Sequence, residues 1–214
     1  MVGRIRERVC SLNPLKRSVY LISPNKINQS FYSSLEKVLS FKNVKFFQLR
    51  LKNVSQKKLV NICEKIRKIT AKHKVKFIIN DNYALTSKVN ASGCHMGQQD
   101  GSFKIARKKL KGKILGITCH NSRILAKDAV KSKADYVAFG SFFKSKLKPG
   151  AKKANLNILK WAKKKLKKPI VVIGGINNNN YKKLIKAGAK YIALSSFIWD
   201  NPKLKPEQAI RKFK

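Results

Sequence analysis

Short apolar runs alternate with longer amphipathic stretches along most of the chain. Residues 18–23 (SVYLIS) form the first apolar run, whose length is typical of a buried strand. In residues 28–40, by contrast, Phe31, Leu35 and Leu39 recur at helical spacing and would line one face of a helix. The pattern repeats toward the C-terminus, which predicts a fold of alternating strands and helices.

The alternation predicts eight strands and eight helices. The strands are predicted at residues 18–23, 44–49, 75–79, 93–96, 113–118, 136–140, 169–173 and 191–194. The helices are predicted at residues 28–40, 55–73, 83–90, 102–110, 121–132, 156–166, 178–187 and 206–213. Strands that alternate with helices indicate a parallel sheet, and eight such units are the number that closes a (β/α)₈ TIM barrel. An open, doubly wound sheet is the alternative.

The length of 214 residues suits a single α/β domain. We expect residues 18–214 to form the barrel and residues 1–17 to form a basic N-terminal extension. No apolar run reaches the roughly 18–20 residues of a membrane helix. No apolar segment follows the basic N-terminal residues, as it would in a secretory signal. The expected location is the cytoplasm, without a membrane partner, and the sequence leaves open whether the chain forms a homo-oligomer.

The chain is strongly basic, with 50 Lys and Arg residues against 9 acids and a net charge of +41. Such a charge favours anionic partners, either nucleic acid or small phosphorylated substrates. The lysines are spread over many predicted helices, and the aromatic residues lie in apolar runs and do not alternate with the bases. The sequence therefore favours small phosphorylated substrates and keeps a polyanion-binding or nucleic-acid-binding protein as an alternative.

Two of the few acids follow consecutive predicted strands. Asp81 comes directly after the third strand, and Asp100 comes shortly after the fourth. Because the carboxyl ends of neighbouring parallel strands meet at one edge of the sheet, both carboxylates should lie at the mouth of the barrel. One or two carboxylates together with substrate phosphate oxygens are a typical environment of Mg²⁺. The sequence predicts Asp81 and Asp100 as Mg²⁺ ligands.

Basic residues are expected beside this pair. Arg50 and Lys52 follow the second strand, and Lys148 lies in the loop after the sixth. Together with a bound Mg²⁺ they would neutralise a diphosphate.

A second phosphate site is expected in the loops after the last two strands. Gly174 and Gly175 follow the seventh strand, and Ser195 and Ser196 follow the eighth. These loops form the usual phosphate site of TIM barrels, and glycines allow the backbone to approach a ligand closely.

The remaining strand ends carry amides, hydroxyls and histidines but no nucleophile motif. Thr118 and His120 end the fifth strand, and we assign both to the substrate site. His95 lies at the end of the fourth strand, but no catalytic Cys or Ser pattern accompanies it or His120. G-x-S-x-G, Walker A and H-E-x-x-H motifs are all absent. A phosphate-handling site without a nucleophile points to displacement of diphosphate.

Seven segments at the strand ends resemble a known family, thiamine-phosphate synthase, over about residues 18–200. The resemblance rests on seven segments in order: residues 48–52 (QLRLK), 77–81 (FIIND), 95–100 (HMGQQD), 114–120 (ILGITCH), 135–140 (DYVAFG), 173–176 (IGGI) and 194–196 (LSS). It implies a (β/α)₈ barrel and a Mg²⁺-dependent transferase. The reaction joins 4-amino-2-methyl-5-pyrimidinylmethyl diphosphate to thiazole phosphate, or to its carboxylate, and yields thiamine phosphate and diphosphate.

The resemblance also implies roles for individual residues. The metal ligands would be Asp81 and Asp100. The thiazole phosphate would lie against Ser145, Gly175, Ser195 and Ser196. The pyrimidine diphosphate would be held by Gln48, Arg50, Lys52, Asn80, Thr118 and Lys148, among which Arg50, Lys52, Thr118 and Lys148 are the catalytic residues.

The sequence departs from the family pattern at several of these positions. Thr118 stands where the family has serine, which preserves a hydroxyl, and Gln99 stands where it has glutamate. In the loop after the sixth strand, Lys144 lies in a changed motif and Leu147 replaces a hydroxyl expected near the thiazole phosphate. A thiazole tautomerase or an inactive relative is therefore the alternative, although the tautomerase lacks this arrangement of paired acids.

Overall fold

The computed structural model describes residues 18–144 and 153–213. The predicted extension at residues 1–17 lies outside this part of the chain, as does most of the loop after the sixth strand. Strands β1 to β8 are Ser18–Ile22, Val44–Leu49, Lys76–Asn80, Gly93–Met96, Ile114–His120, Tyr136–Phe139, Ile170–Val172 and Tyr191–Leu194. Helices α1 to α9 are Gln29–Leu39, Gln56–Lys72, Tyr83–Lys88, Phe103–Leu110, Arg123–Lys131, Leu156–Lys165, Tyr181–Lys186, Ser196–Trp199 and Pro206–Ile210.

The eight strands form a closed parallel barrel in sequence order, with β1 paired to β8. The fold is a single-domain (β/α)₈ TIM barrel, which confirms the prediction and shows that the doubly wound alternative was wrong. The predicted strand and helix boundaries agree within a few residues, except that β5 continues to His120. The four-residue helix α8 directly after β8 was not predicted.

The alternation of side chains along each strand creates two apolar layers. In β1, Val19 and Leu21 face outward and join the large core between the strands and the helices. Tyr20 and Ile22 face inward and join a smaller cluster that fills the barrel. Successive strand residues point to opposite faces, so one strand supplies both layers.

Several helices begin with a neutral polar residue that caps them. The side chains of Asn28, Asn82, Ser102, Ser122 and Asn155 accept backbone N–H groups from the first turns of α1, α3, α4, α5 and α6. Asn and Ser caps satisfy the free N–H groups at helix starts without an acid. The few aspartates of the chain are therefore not needed as caps of these five helices.

The described part of the chain contains no helix with both the length and the apolar character needed to cross a membrane.

Candidate active site

The two predicted metal aspartates lie together at the carboxyl edge of β3 and β4. Asp81 follows β3 directly and has a positive φ of 64°, a conformation that Asp tolerates better than most residues. Its backbone N–H donates to the carbonyl of His95 at 2.7 Å, which fixes the turn against the neighbouring strand. The carboxyl group of Asp81 lies close enough to that of Asp100 for Asp100 to raise its pKa. The structure therefore brings the two acids together, as the parallel-strand argument predicted.

A short loop after β4 holds the second acid. Oδ2 of Asp100 accepts the backbone N–H of Gly97 at 2.6 Å. A Cβ atom at position 97 would lie 2.9 Å from the same oxygen, which is too close for an ordinary contact. Gly97 is thus required for the Asp100 carboxylate to fold back over its own loop.

The acid pair forms no ion pair with any residue that the structure describes. Among the described residues, no Lys, Arg or His nitrogen lies within 4.0 Å of either carboxylate. Loss of solvation, the hydrogen bond with Asp100 and the charge of Asp100 raise the pKa of Asp81 to about 6. The positive charges of Arg50 and Lys52 act in the opposite direction and are therefore close enough to be felt. The site has unsatisfied negative charge that a cation would relieve.

The donor set around the pair suits a hard cation. An open cavity of about 520 Å³ is lined by Asp81, Asn82, Tyr83, Ala84, Gln99 and Asp100. Carboxylate and amide oxygens are the donors that Mg²⁺ prefers, and Mg²⁺ usually takes only one or two carboxylates from the protein. In the ranges that the structure describes, no cluster of three or more His, Cys, Asp or Glu residues forms a richer metal site.

An amide pair lies next to the acids on β2 and β3. Gln48 is only 2% exposed, and its Nε2 donates to Oδ1 of Asn80 at 3.2 Å. The two strands are neighbours in the barrel, so their ends place both amides at the mouth. Arg50 lies two residues after Gln48, just past the end of β2, and its backbone N–H donates to the Ser23 hydroxyl at 2.9 Å. The structure thus keeps the three predicted residues Gln48, Asn80 and Arg50 on one side of the opening.

Thr118 is held by two residues from the end of β4. Its Oγ1 lies 2.8 Å from Nε2 of His95, and its carbonyl accepts Nε2–H of Gln98 at 2.5 Å. Burial lowers the pKa of His95 to about 4, so the imidazole is neutral near pH 7. Neither His95 nor Gln98 was assigned a role from the sequence. The available signal was their position at a strand end. Their contact with Thr118 could not be predicted, because it joins residues from separate strands.

His120 lies apart from this group. It ends β5 with a positive φ of 51°, and its side chain is exposed. In residues 18–144 and 153–213, no hydrogen bond or ion pair joins the His120 side chain to another residue. The structure therefore does not bring His120 into contact with the other predicted site residues, and its assignment to the substrate stays a prediction.

The glycines after β7 make close contacts within the protein. Gly174 and Gly175 have φ values of 104° and 59°, which favour glycine. A Cβ at Gly174 would lie 1.9 Å from Oγ of Ser141, and one at Gly175 would lie 2.4 Å from the carbonyl oxygen of Lys144. These glycines therefore allow the loop after β6 to pack against the loop after β7. Their role toward a ligand remains a prediction.

The two serines after β8 begin the short helix α8. Ser195 precedes the helix, and its hydroxyl donates to the carbonyl of Ser23 at 3.1 Å. Ser196 is the first residue of α8. Trp199 ends the helix and donates Nε1–H to the carbonyl of Ile22 at 2.7 Å, which fastens the helix to the end of β1. Ser195 and Ser196 thus lie at the same edge of the barrel as the acids.

The remaining predicted residues, Ser145, Leu147 and Lys148, lie outside the described residues.

Comparison with known proteins supports one family over nearly the whole barrel. The family model for thiamine monophosphate synthase matches residues 19–198. A thiamine-phosphate synthase from Pelagibacter ubique is 53% identical over 200 residues, which are 93% of this chain and 97% of the relative. A thiamine-phosphate synthase from Erythrobacter litoralis is 40% identical over 196 residues, covering 89% and 92%.

A solved structure agrees with these sequence matches. Thiamine phosphate pyrophosphorylase from Pyrococcus furiosus superposes with a TM-score of 0.82 at 25% identity, covering 93% of this chain and 94% of that one. Orotidine 5'-phosphate decarboxylase from Pyrococcus horikoshii, at 12% identity and a TM-score of 0.64, shares the fold alone. The chain belongs to the thiamine monophosphate synthase family and is an enzyme, a transferase of thiamine biosynthesis.

Proposed function

We propose that the enzyme joins 4-amino-2-methyl-5-pyrimidinylmethyl diphosphate to thiazole phosphate, with release of diphosphate and a requirement for Mg²⁺. When the thiazole phosphate carboxylate is the substrate, its carboxylate group leaves as CO₂ and the product is the same thiamine phosphate. The observation that carries this proposal is the pair of carboxylates at the barrel mouth. Asp81 and Asp100 lie close together and form no ion pair with the described residues, although the protein carries a net charge of +41. Two adjacent acids in this setting suit a bound divalent ion.

Asp81 and Asp100 would hold the Mg²⁺ ion, together with phosphate oxygens of the substrate. The ion would supply positive charge to a diphosphate leaving group. Arg50 and Lys52, whose charges reach Asp81, would contact the same diphosphate from the β2 side. Lys148 is assigned to the same diphosphate because it occupies the position of the family's lysine in the loop after the sixth strand.

The diphosphate leaves with the bonding electron pair, and the remaining pyrimidinylmethyl cation is stabilised by its own amino group. The thiazole nitrogen then attacks the exocyclic carbon. Such a reaction needs charge stabilisation and orientation more than a general base. Because its pKa is lowered to about 4, the His95 imidazole is a weak base, which agrees with a site that does not depend on proton abstraction. Gln48, Asn80 and Thr118 would orient the pyrimidine ring and its diphosphate.

The thiazole phosphate would bind at the loops after β6, β7 and β8. Gly175, Ser195 and Ser196 are at the barrel edge where TIM barrels commonly bind phosphate. Ser145 completes the set by its motif position.

A reconstituted assay tests the proposal directly. The purified enzyme receives both substrates and Mg²⁺, and diphosphate release and thiamine phosphate formation are measured while each component is omitted in turn. We expect turnover only when all three are present, and EDTA should stop it. Isomerisation of a thiazole substrate without diphosphate release would instead support the tautomerase alternative.

A further inference from the structure

A chain of hydrogen bonds crosses the barrel interior and ends at Thr118. The hydroxyls of Tyr20 and Tyr136 lie 2.7 Å apart, and the Tyr136 hydroxyl lies 2.9 Å from Nδ1 of His95. Nε2 of His95 lies 2.8 Å from Oγ1 of Thr118. Both tyrosines are 2% exposed, so their hydroxyls depend on these partners.

The contact between Tyr136 and His95 is made across an intervening strand. His95 on β4 is in register with Gly116 on β5, which is in register with Tyr136 on β6. A Cβ at Gly116 would lie 1.9 Å from the Tyr136 ring, so only glycine lets the phenol pass over β5. The two rings then stack, with centroids 5.6 Å apart and an angle of 10° between planes. This packing fixes the imidazole relative to the phenol.

The buried Tyr20 hydroxyl determines the direction of the chain. Its hydroxyl has Tyr136 as its only hydrogen-bond partner among the described residues. If His95 donated from Nδ1 to Tyr136, then Tyr136 would donate to Tyr20, and the Tyr20 proton would have no acceptor. A buried donor without an acceptor has lost its bonds to water and gained none in return, which disfavours this direction.

The opposite direction satisfies every proton. Tyr20 donates to Tyr136, Tyr136 donates to Nδ1 of His95, and Nε2–H of His95 donates to Oγ1 of Thr118. The hydrogen of the Thr118 hydroxyl is then left for a ligand.

We propose that Tyr136 is a positioning residue that fixes His95 as the Nε2–H tautomer, so that Thr118 presents its hydroxyl hydrogen to an acceptor atom of the pyrimidine diphosphate. The identity of the ligand in this inference rests on the proposed function. The tautomer of His95 does not depend on the proposed function. Thr118 contacts the substrate, whereas Tyr136 and Gly116 act through His95.

Nuclear magnetic resonance of the ligand-free full-length enzyme with isotope-labelled histidine tests the tautomer. The chain has only three histidines, so His95 can be assigned by comparison with a His95→Gln variant. At pH 7 we expect the ring proton on Nε2 and a bare Nδ1. A proton on Nδ1 would overturn the proposal. This measurement remains decisive even if the reconstituted enzyme shows no turnover.

Two variants test the link to Thr118. Tyr136→Phe removes the donor, and Gly116→Ala displaces the phenol while keeping every polar group. In both variants we expect a mixture of His95 tautomers. We also expect kcat to fall by about tenfold and KM to change by less than about twofold, because the lost interaction between Thr118 and the substrate acts mainly after binding. Tyr20→Phe should keep the Nε2–H tautomer, because Tyr136 can still donate.

Tyr191→Phe is the matched control for activity, because Tyr191 packs against the same interior cluster but is not a member of the hydrogen-bonded series Tyr20, Tyr136, His95 and Thr118. Its kcat should change by less than about twofold. An unaltered His95 spectrum in Tyr136→Phe would overturn the proposed role of Tyr136. An altered spectrum with unchanged kcat would overturn the link through Thr118. If either variant fails to fold, the tautomer in the unmodified enzyme still decides the central point.

Discussion

The two edges of the barrel use aspartate in opposite ways. At the amino edge, Asp135 precedes β6 and binds within the protein through one carboxylate oxygen, although its side chain is 46% exposed. Its Oδ2 accepts Nη1–H of Arg107 at 2.9 Å and the backbone N–H of Leu115 at 2.8 Å. At the carboxyl edge, Asp81 and Asp100 face each other and have no cationic partner within 4.0 Å in the described chain.

The difference separates structural from functional acids. In a protein with 50 basic residues, a pair of carboxylates with no ion-pair partner in residues 18–144 and 153–213 is an arrangement that the fold itself does not need. Asp135 joins α4, β5 and β6 and thereby supports the barrel. Asp81 and Asp100 carry an electrostatic cost, visible in the raised pKa of Asp81, that a bound cation would remove. Perturbed acids in an open cleft are typical of active sites.

The largest effect should follow the loss of a carboxylate at the carboxyl edge. We predict that Asp100→Ala lowers kcat/KM by at least about 10²–10³-fold, because the metal charge on the leaving group contributes several kcal/mol to the barrier. Stability should be retained, since among the described residues the Asp100 side chain bonds Gly97 of its own loop and otherwise faces the like-charged Asp81. Steady-state diphosphate release and thermal unfolding of the same preparation would check both statements. Activity within twofold of the unmodified enzyme would refute the metal role.

The matched substitution at the amino edge should have the reverse outcome. We predict that Asp135→Ala lowers the free energy of unfolding by about 1–2 kcal/mol, because it leaves the N–H of Leu115 without its acceptor and Arg107 without its partner. The kcat and KM of the folded fraction should stay unchanged. Urea denaturation measures the first quantity. A selective loss of kcat without loss of stability would contradict the division between the two edges.

The smallest effect concerns the charge of Asp81 in the absence of metal. Its pKa is raised from 3.8 to about 6 in the folded protein, so ionisation opposes folding. This destabilisation is absent below about pH 4, grows as the pH rises from 4 to 6, and is fully present above pH 6. We predict that Asp81→Asn raises the free energy of unfolding by roughly 0.5–1 kcal/mol at pH 7, after allowance for solvent screening at an exposed site.

Denaturation in EDTA at pH 4 and pH 7 would test this prediction. Asparagine tolerates the positive φ at position 81, so a backbone cost is not expected. Equal gains at both pH values would show that charge is not the cause.

The sequence predicted the fold because the repeating pattern is local. Apolar runs and helical spacing are visible within ten to twenty residues, and β2, β4 and β8 were predicted with the bounds that the structure shows. The helix α8 was missed because its sequence, SFIW, continues the apolar run of β8 and is too short to show a helical period. The adjacency of Asp81 and Asp100 was predictable, since consecutive parallel strands place their ends together.

Other features of the site depend on contacts between distant positions. The link from Tyr136 to His95 requires the register of three strands and the space above Gly116, which no local pattern encodes. Gly174 and Gly175 were expected to let the backbone approach a ligand, which stays a prediction, and their packing against Ser141 and Lys144 was not predictable. Both are properties of the assembled barrel.

The central claim is that Asp81 and Asp100 bind Mg²⁺ together with a diphosphate. Isothermal titration calorimetry of Mg²⁺ into the full-length enzyme with saturating inorganic diphosphate at pH 7.5 tests it most directly, with Asp135→Ala as the control. We predict Mg²⁺-dependent binding to the unmodified enzyme and to Asp135→Ala, and a loss of at least about tenfold in Mg²⁺ affinity in Asp81→Asn and in Asp100→Ala. Equal Mg²⁺ affinity in all four proteins would contradict the account.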